Sequence, residues 1–377
     1  MRNRNILLIL LVAANLRLSL TAITPLFGQI QRTLGIGETY LSLTIMVPLI
    51  LFAITPIFVK YLLQKYNFNN VMTGALVLLI LATIIRPSGK ASLLFGSALI
   101  GLAIAILNVV LPLMVRAKFK DDIQRITGYY SLTTSVVTAV GLLVAPMLAN
   151  WLGWQITLQT FVIPAMLALW LWLIIKPNNA NEHYIEITPT RTMTNPKIRV
   201  DRKLGFLIVF TALQSFIFYG LNTWLPTIFE STGVSEAISG LLMSILQLSG
   251  ILATIIFLII RKAKHNLYLA GILFAFGSYA LFQHGLVLNM IAAVTLGIST
   301  SIVFTLSLLF IANSSADLAE VAANSSITMT FGYLFASLAP LSLNYVHQLF
   351  GQWNVTLLMI VVMEIGVIYF GMKLAND

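Results

Sequence analysis

Apolar residues in this chain run on for about twenty positions at a time, the length a helix needs to cross a bilayer. Twelve such runs can be marked, at 6–28, 41–63, 71–87, 92–116, 125–149, 155–175, 204–229, 237–260, 267–284, 287–312, 320–346 and 353–373. Each predicts one membrane-spanning helix, and nothing in the pattern predicts a strand. The opening MRNRN followed by an apolar run has the outline of a signal peptide. The run continues past any cleavage-like site and contains Arg17, so it is read as an uncleaved first helix. The polar stretch Pro177 to Lys203 is basic and proline-punctuated, and reads as a cytoplasmic linker between two halves. The expected organisation is a six-helix bundle over 1–176, a linker over 177–203 and a second six-helix bundle over 204–377.

The halves repeat weakly. Gly35-Ile36-Gly37-Glu38 follows the first run, and Gly233-Val234-Ser235-Glu236 follows the seventh, an offset of 198. LGWQITL (Leu152 to Leu158) opens the sixth run and FGQWNVTL (Phe350 to Leu357) opens the twelfth. Both matches fall at corresponding loops, which is the signature of parallel internal repeats. The fold class expected is an all-α membrane protein of twelve helices in two pseudo-symmetric six-helix bundles.

Composition narrows the chemistry. Charged residues make up 9% of the 377, and 59% are hydrophobic, against about 25% charged in soluble domains. A water-soluble fold is excluded. With no cysteine, disulfides and thiolate chemistry are excluded as well. The four histidines, His183, His265, His284 and His347, lack metal-ligand spacing, so no metal and no cofactor are expected. A net charge of +10 suggests nucleic acid only until the charges are placed. With the N-terminus inside, 18 of the 22 Lys and Arg residues fall in inner segments; Arg32, Arg86 and Lys90 fall outside, and Arg17 lies within the membrane. Both termini are therefore expected in the cytoplasm, with the chain in the plasma membrane and no nucleic-acid partner.

Arg17 lies in NLRLSLTAITPL, Asn15 to Leu26. A guanidinium at mid-bilayer costs about 2.5–3.5 kcal/mol on insertion scales, so it must face protein, water or a ligand. On one continuous helix Arg17, Thr21, Thr24 and Gly28 form a polar stripe, read as the wall of an internal cavity. Asn15 lies about 200° away and reads as a helix-packing hydrogen bond.

Twelve helices with a basic central loop resemble the major facilitator superfamily. Within it, NLRLSLTAITPL, ILNVVLPLMVRAKF (Ile106 to Phe119), ITGYYS (Ile126 to Ser131), LGWQ and LQSFIFYGLNTWLP (Leu213 to Pro226) resemble the cyanate and nitroimidazole transporter family. The superfamily motif between helices two and three is reduced to PIFVKYLLQKYNFNN, which keeps Lys60 and Lys65 without the aspartate. The resemblance implies that helices 1, 4, 7 and 10 line a central cavity. It thereby assigns substrate binding to Arg17, Thr21, Asn108, Gln214, Tyr219, Asn222 and Trp224. Tyr129, Tyr130 and Glu364 become candidates for gating or coupling. A cavity with one fixed positive charge and no carboxylate suits a planar anion, held through two parallel hydrogen bonds.

Each assignment has a structural alternative. Arg17 can be capped by carbonyls, Pro112 and Pro226 can kink helices, and Trp224 and Trp353 can be interface anchors. Arg116, Lys118, Asp121 and Asp122 read as a cytoplasmic topology cluster. Glu364 reads as a buried structural carboxyl, protonated or bonded to helices ten and eleven, since the resemblance puts helix twelve at the periphery. Helix eleven also carries a polar run from Asn324 to Tyr333. No convergent nucleophile, base or metal set supports a membrane enzyme, so no catalytic residue is expected. No GxxxxGK[ST] loop supports ATP-driven transport. The expectation is a monomeric secondary or facilitative transporter of a small solute such as cyanate or a nitroimidazole. The alternative is an exporter of neutral or anionic toxic compounds, and a sensor is disfavoured by the lack of an output domain.

Overall fold

The computed structural model describes residues 2–119, 122–175, 201–260, 262–283, 285–315 and 318–376. The linker expected at 177–203 lies outside these apart from its last three residues, as do Asp121 and His284. Among the described residues the chain is helical with no strand: α1 (Arg2–Thr21), α2 (Phe27–Leu34), α3 (Glu38–Lys65), α4 (Phe68–Ile85), α5 (Lys90–Lys118), α6 (Ile123–Thr160) and α7 (Ile163–Ile175). Then follow α8 (Arg202–Ser231), α9 (Glu236–Ile259), α10 (Ala263–Phe282), α11 (Leu286–Ala312), α12 (Leu318–Phe350) and α13 (Trp353–Leu374). Among the described residues eleven stretches are long and apolar enough to cross a membrane; one of them, the 51-residue run Arg125–Ile175, covers the fifth and sixth predicted segments. Within it Gly153 leaves helical geometry at φ 79 and ψ 156, and this marks the turn between the two. Leu81, Phe95, Trp170, Ile272 and Ile365 are all more than half exposed, as expected of faces turned to lipid. This is a multi-pass membrane protein.

The first predicted helix is not continuous. Pro25 has no N–H for the Thr21 carbonyl and its ring crowds that carbonyl, so α1 ends at Thr21. The Thr24 hydroxyl donates to the Thr21 carbonyl at 3.0 Å instead. A 3-10 turn, Thr24–Leu26, joins α1 to α2. The polar stripe predicted to run to Gly28 therefore holds only as far as Thr21, because the break resets the helical phase.

The chain divides into two compact units, Met1–Gly37 with Ile50–Arg191, and Glu38–Leu49 with Thr192–Asp377. The predicted boundary put all of 1–176 in the first bundle, whereas the first turns of α3 group with the second unit. The reason is visible in hydrogen bonds to α12: the Ser42 hydroxyl donates to the Pro340 carbonyl at 3.2 Å, and Thr39 meets the side chains of Asn344 and Gln348. Each unit repeats one scheme of packing. In the first, α1 lies on α6, α5 and α7, and α4 lies on α5. In the second, α8 lies on α12, α11 and α13, and α10 lies on α11. The glycine pairs predicted from the repeat share a backbone state: Gly35 and Gly233 have φ 57 and 89, and Gly153 and Gly351 have φ 79 and 67. That left-handed region disfavours other residues, which explains why glycine recurs at the 198-residue offset.

Helices in lipid gain no hydrophobic drive toward one another, so association rests on close packing and hydrogen bonds. A side chain at Gly297 of α11 would run into the Leu246 carbonyl and the Ser249 hydroxyl of α9. Gly250 of α9 faces Ser301 of α11 in the same way. Gly297→Ala should therefore destabilise the protein by about 1–3 kcal/mol, the usual cost of overpacking. Gly74→Ala, which meets nothing within 4 Å, should be neutral. Thermal melts of the two purified variants in detergent check this pair.

Candidate functional site

In the first unit, Arg17 is half-buried on α1 and Thr21 follows one turn later, donating its hydroxyl to the Arg17 carbonyl at 3.0 Å. Asn108 is exposed on α5, four residues before Pro112. Tyr129 is 40% exposed near the start of α6, and its hydroxyl accepts from Arg125 Nε at 2.8 Å. The Arg125 guanidinium also lies 5.5 Å from the centre of the Tyr129 ring. Tyr130 is half-buried, and its carbonyl accepts from the Thr134 hydroxyl at 2.9 Å. Tyr129 thus stands beside a cation, and α6, which carries both tyrosines, packs on α1: the Thr134 hydroxyl also donates to the Ala13 carbonyl at 3.1 Å. The side chain of Arg116 and all of Asp121, parts of the predicted cytoplasmic cluster, lie outside the described residues.

In the second unit the polar residues of α8 converge more than their spacing suggested. Ser215, Tyr219 and Asn222 fall at i, i+4 and i+7, one face of a helix. Gln214 lies off that face, yet its Nε2 donates to the Ser215 hydroxyl at 2.9 Å and draws the amide over it. Tyr219 is half-buried against Phe218, edge-on at 5.2 Å, and against Tyr333 of α12 at 6.3 Å. Gly332 of α12 lies in the same seam, where a Cβ would stand 3.3 Å from Thr211 Cγ2 and 3.5 Å from the Ser215 hydroxyl. Tyr333 belongs to the polar run noted on helix eleven, but only the fold brings it to Tyr219. Asn222 is 5% exposed; its Nδ2 donates to the Phe218 carbonyl at 2.8 Å, and its Oδ1 is buried with no hydrogen-bond partner.

Three of the candidates share a local device. Thr21, Asn108 and Asn222 each stand four residues before a proline, Pro25, Pro112 and Pro226. Proline offers no N–H to the carbonyl four residues back, so each position couples a polar side chain with a freed main-chain acceptor. In hydrocarbon such groups persist only where protein or a polar ligand satisfies them.

Trp224 is placed differently from its neighbours. It is 1% exposed, its indole N–H donates to the Pro340 carbonyl at 2.8 Å, and its ring lies 5.4 Å from that of Trp353. His347 stacks on Trp353 at 3.8 Å with 8° between planes. This is a packed aromatic cluster tying α8, α12 and α13 together.

Glu364 is 5% exposed on α13, and its Oε1 has no hydrogen-bond partner. It lies on the buried stripe Thr356, Ile360, Glu364, Val367, Gly371. Gly371, at the end of that stripe, packs on Leu267 of α10 and Phe210 of α8. The stripe that carries this carboxyl packs on α8 and α10 at its Gly371 end, and α13 also lies against α12. Among the described residues no group of His, Asp or Glu is arranged to hold a metal ion.

Arg86 is the residue whose burial charge counting did not show. Predicted as an outer-loop charge, it is 3% exposed in a 3-10 turn, Arg86–Ser88, between α4 and α5. Its Nη1 donates to the Ser19 carbonyl of α1. A short polar RPSG turn after only 18 helical residues of α4 was the available signal.

The match to known proteins covers this whole architecture. The family model of the Major Facilitator Superfamily matches residues 9–372. The chain belongs to the Major Facilitator Superfamily. This superfamily member is 27% identical to the 2-nitroimidazole transporter of Escherichia coli K12, over 100% of this chain and 97% of that one. It is 24% identical to the cyanate transport protein CynX of the same organism, covering 89% and 88%. The crystal structure of the nucleoside transporter NupG superposes with a TM-score of 0.79 at 13% identity, covering 99% of this chain and 98% of that one. The superfamily and these relatives are transporters, not enzymes.

The site geometry separates packing from binding at Trp224. Replacing it by Phe removes the donor to Pro340 but keeps most of the ring. Trp224→Phe should lower stability by about 0.5–1.5 kcal/mol, the net value of one hydrogen bond, and leave the KM for transport within twofold. Melting temperature and proteoliposome uptake, measured on the same preparation, check both halves of this expectation.

Proposed function

We propose that this superfamily member carries a small monoanion or a flat, polarisable molecule, of the cyanate or nitroimidazole kind, across the plasma membrane by alternating access. The observation that carries the proposal is the kind of polar group each unit offers. The first offers a fixed guanidinium, Arg17, with the hydroxyl of Thr21 and the amide of Asn108. The second offers the amides of Gln214 and Asn222 beside the rings of Phe218, Tyr219 and Tyr333. A guanidinium recognises a planar anion through paired N–H donors. The aromatic rings suit a flat solute, which they contact edge-on or by offset stacking. The names of the 2-nitroimidazole and cyanate relatives agree with both chemistries.

Within this proposal Trp224 is left to packing, and Tyr333 joins the ligand set in its place. The inner excess of Lys and Arg orients both termini to the cytoplasm, and the bundles meet at the linker 177–203. The unit acts as a monomer. Glu364, with a free carboxyl oxygen on α13, is the proposed proton-coupling group if transport is proton-driven. The aromatic cluster around Tyr219 also fits an exporter of neutral or anionic toxic compounds, and the direction of transport separates the two.

The decisive experiment is uptake of labelled cyanate into proteoliposomes. Arg17→Ala should lower the initial rate at least tenfold with unchanged incorporation of protein, whereas Asn15→Ala should keep it within threefold. Uptake preserved in Arg17→Ala overturns the binding role of the guanidinium. For a nitroimidazole, Tyr219→Ala should raise KM more than Tyr219→Phe, since the ring and not the hydroxyl makes the stack.

A further inference from the structure

We propose that Arg86, with the hydroxyls of Ser19 and Ser97, forms a second anion site inside the first unit, one that takes a small inorganic monoanion of halide size. Arg86 is 3% exposed, and only its Nη1 is engaged, on the Ser19 carbonyl. Its Nε and Nη2 are buried with no hydrogen-bond partner. The hydroxyls of Ser19 and Ser97 are in the same condition, and these residues are each 2% exposed. Ser19 is the residue whose carbonyl Arg86 holds. Ser97 follows Gly96, whose backbone rests on Arg86 so closely that a Cβ there would come within 2.7 Å of the Arg86 Cα. Ser97 also lies on the core-facing stripe of α5 with Leu93, Ile100 and Ile104.

The donor set defines the ligand. A guanidinium only donates, does not lose its proton, and so calls for acceptors. A buried charge without compensation is several kcal/mol unfavourable. Among the described residues no carboxylate of the first unit is paired with Arg86. Between residues 2 and 175 the acidic residues are Glu38, Asp121 and Asp122. Glu38 groups with the second unit. Asp121 lies outside the described residues, and Asp122 follows the far end of α5, which spans Lys90–Lys118, about 43 Å at 1.5 Å per residue. A bound anion supplies the missing charge. Leu93, one turn before Ser97 on α5, is fully buried, as is Ala82, whose carbonyl lies 3.2 Å from where a Cβ at Gly96 would stand; an enclosed place of this kind favours a small ion.

This site is separate from that of Arg17. Arg17 and Ser19 are two residues apart on α1 and point about 200° from one another. The anion therefore sits behind α1, bracing the turn just before the helix breaks at Thr21. A cation near the carbonyl end of a helix is favourable there in its own right. One rival accounts for the same free donors: Asn15, one turn inward from Ser19, has a buried Oδ1 without a partner, and a water bridging it to Arg86 would need no anion.

The test uses the full-length protein in detergent, prepared in gluconate and titrated with sodium bromide at constant ionic strength. Thermal unfolding should shift upward by several degrees and saturate. Arg86→Gln should lose the shift; because that variant can fail to fold, Ser97→Ala and Ser19→Ala carry the decision, each weakening the bromide midpoint at least fivefold. Arg17→Ala should respond as the parent does. Equal melting in bromide and gluconate overturns the site in favour of a water. A response unchanged in both serine variants, or lost in Arg17→Ala, overturns it in favour of an adventitious ion or of the other cationic site.

Discussion

Hydrocarbon offers no hydrogen bonds, and the arrangement of this protein follows from that constraint. Every main-chain group in the spanning region must find a partner inside the protein, which makes helices the only economical solution. The chain then breaks the rule at chosen points. Pro25, Pro112 and Pro226 free the carbonyls of Thr21, Asn108 and Asn222. At Thr21 the protein repairs the defect itself, through the Thr24 hydroxyl. At Asn222 a buried amide oxygen stays without a partner beside the freed carbonyl. Positions of this kind are where a polar solute finds groups that are already desolvated and already held in place.

Charge obeys the same logic more severely. Among the described residues Arg17, Arg86 and Glu364 are ionisable side chains well inside spanning segments or under them. Arg17 is only half-buried and shares α1 with Thr21, which suits a group that meets a solute. Arg86 is enclosed and holds a carbonyl at the end of a helix, which suits a fixed brace. Glu364 lies within the second unit on a packed face of α13. One unit thus carries buried positive charge and the other a buried carboxyl.

The internal repeat shows how a weak similarity acquires physical content. Four short loop residues at an offset of 198 are poor grounds for homology on their own. Their shared left-handed φ makes them a conformational requirement that the two halves meet at the same places. The packing order of helices agrees, since α1 on α6 corresponds to α8 on α12 and α4 on α5 to α10 on α11. The aromatic cluster of Trp224, Trp353 and His347 belongs to the second unit, so the halves share a frame and differ in their inner chemistry.

The sequence by itself determined the all-helical class and the membrane environment, because runs of apolar residues are a one-dimensional property read directly against bilayer thickness. It also marked Arg17, since a lone charge in an apolar run stands out without any fold. The break at Pro25 was legible too, although the stripe was drawn through it. Tertiary structure alone decided what depends on contacts between distant segments. Gln214 joins the Tyr219 face only through Ser215, Tyr333 reaches Tyr219 only because α12 packs on α8, and the Trp224 N–H is held by the Pro340 carbonyl. Arg86 is the sharpest case. Its place in the chain is that of a loop charge, and only the seating of the α4–α5 turn against α1 makes it a buried one.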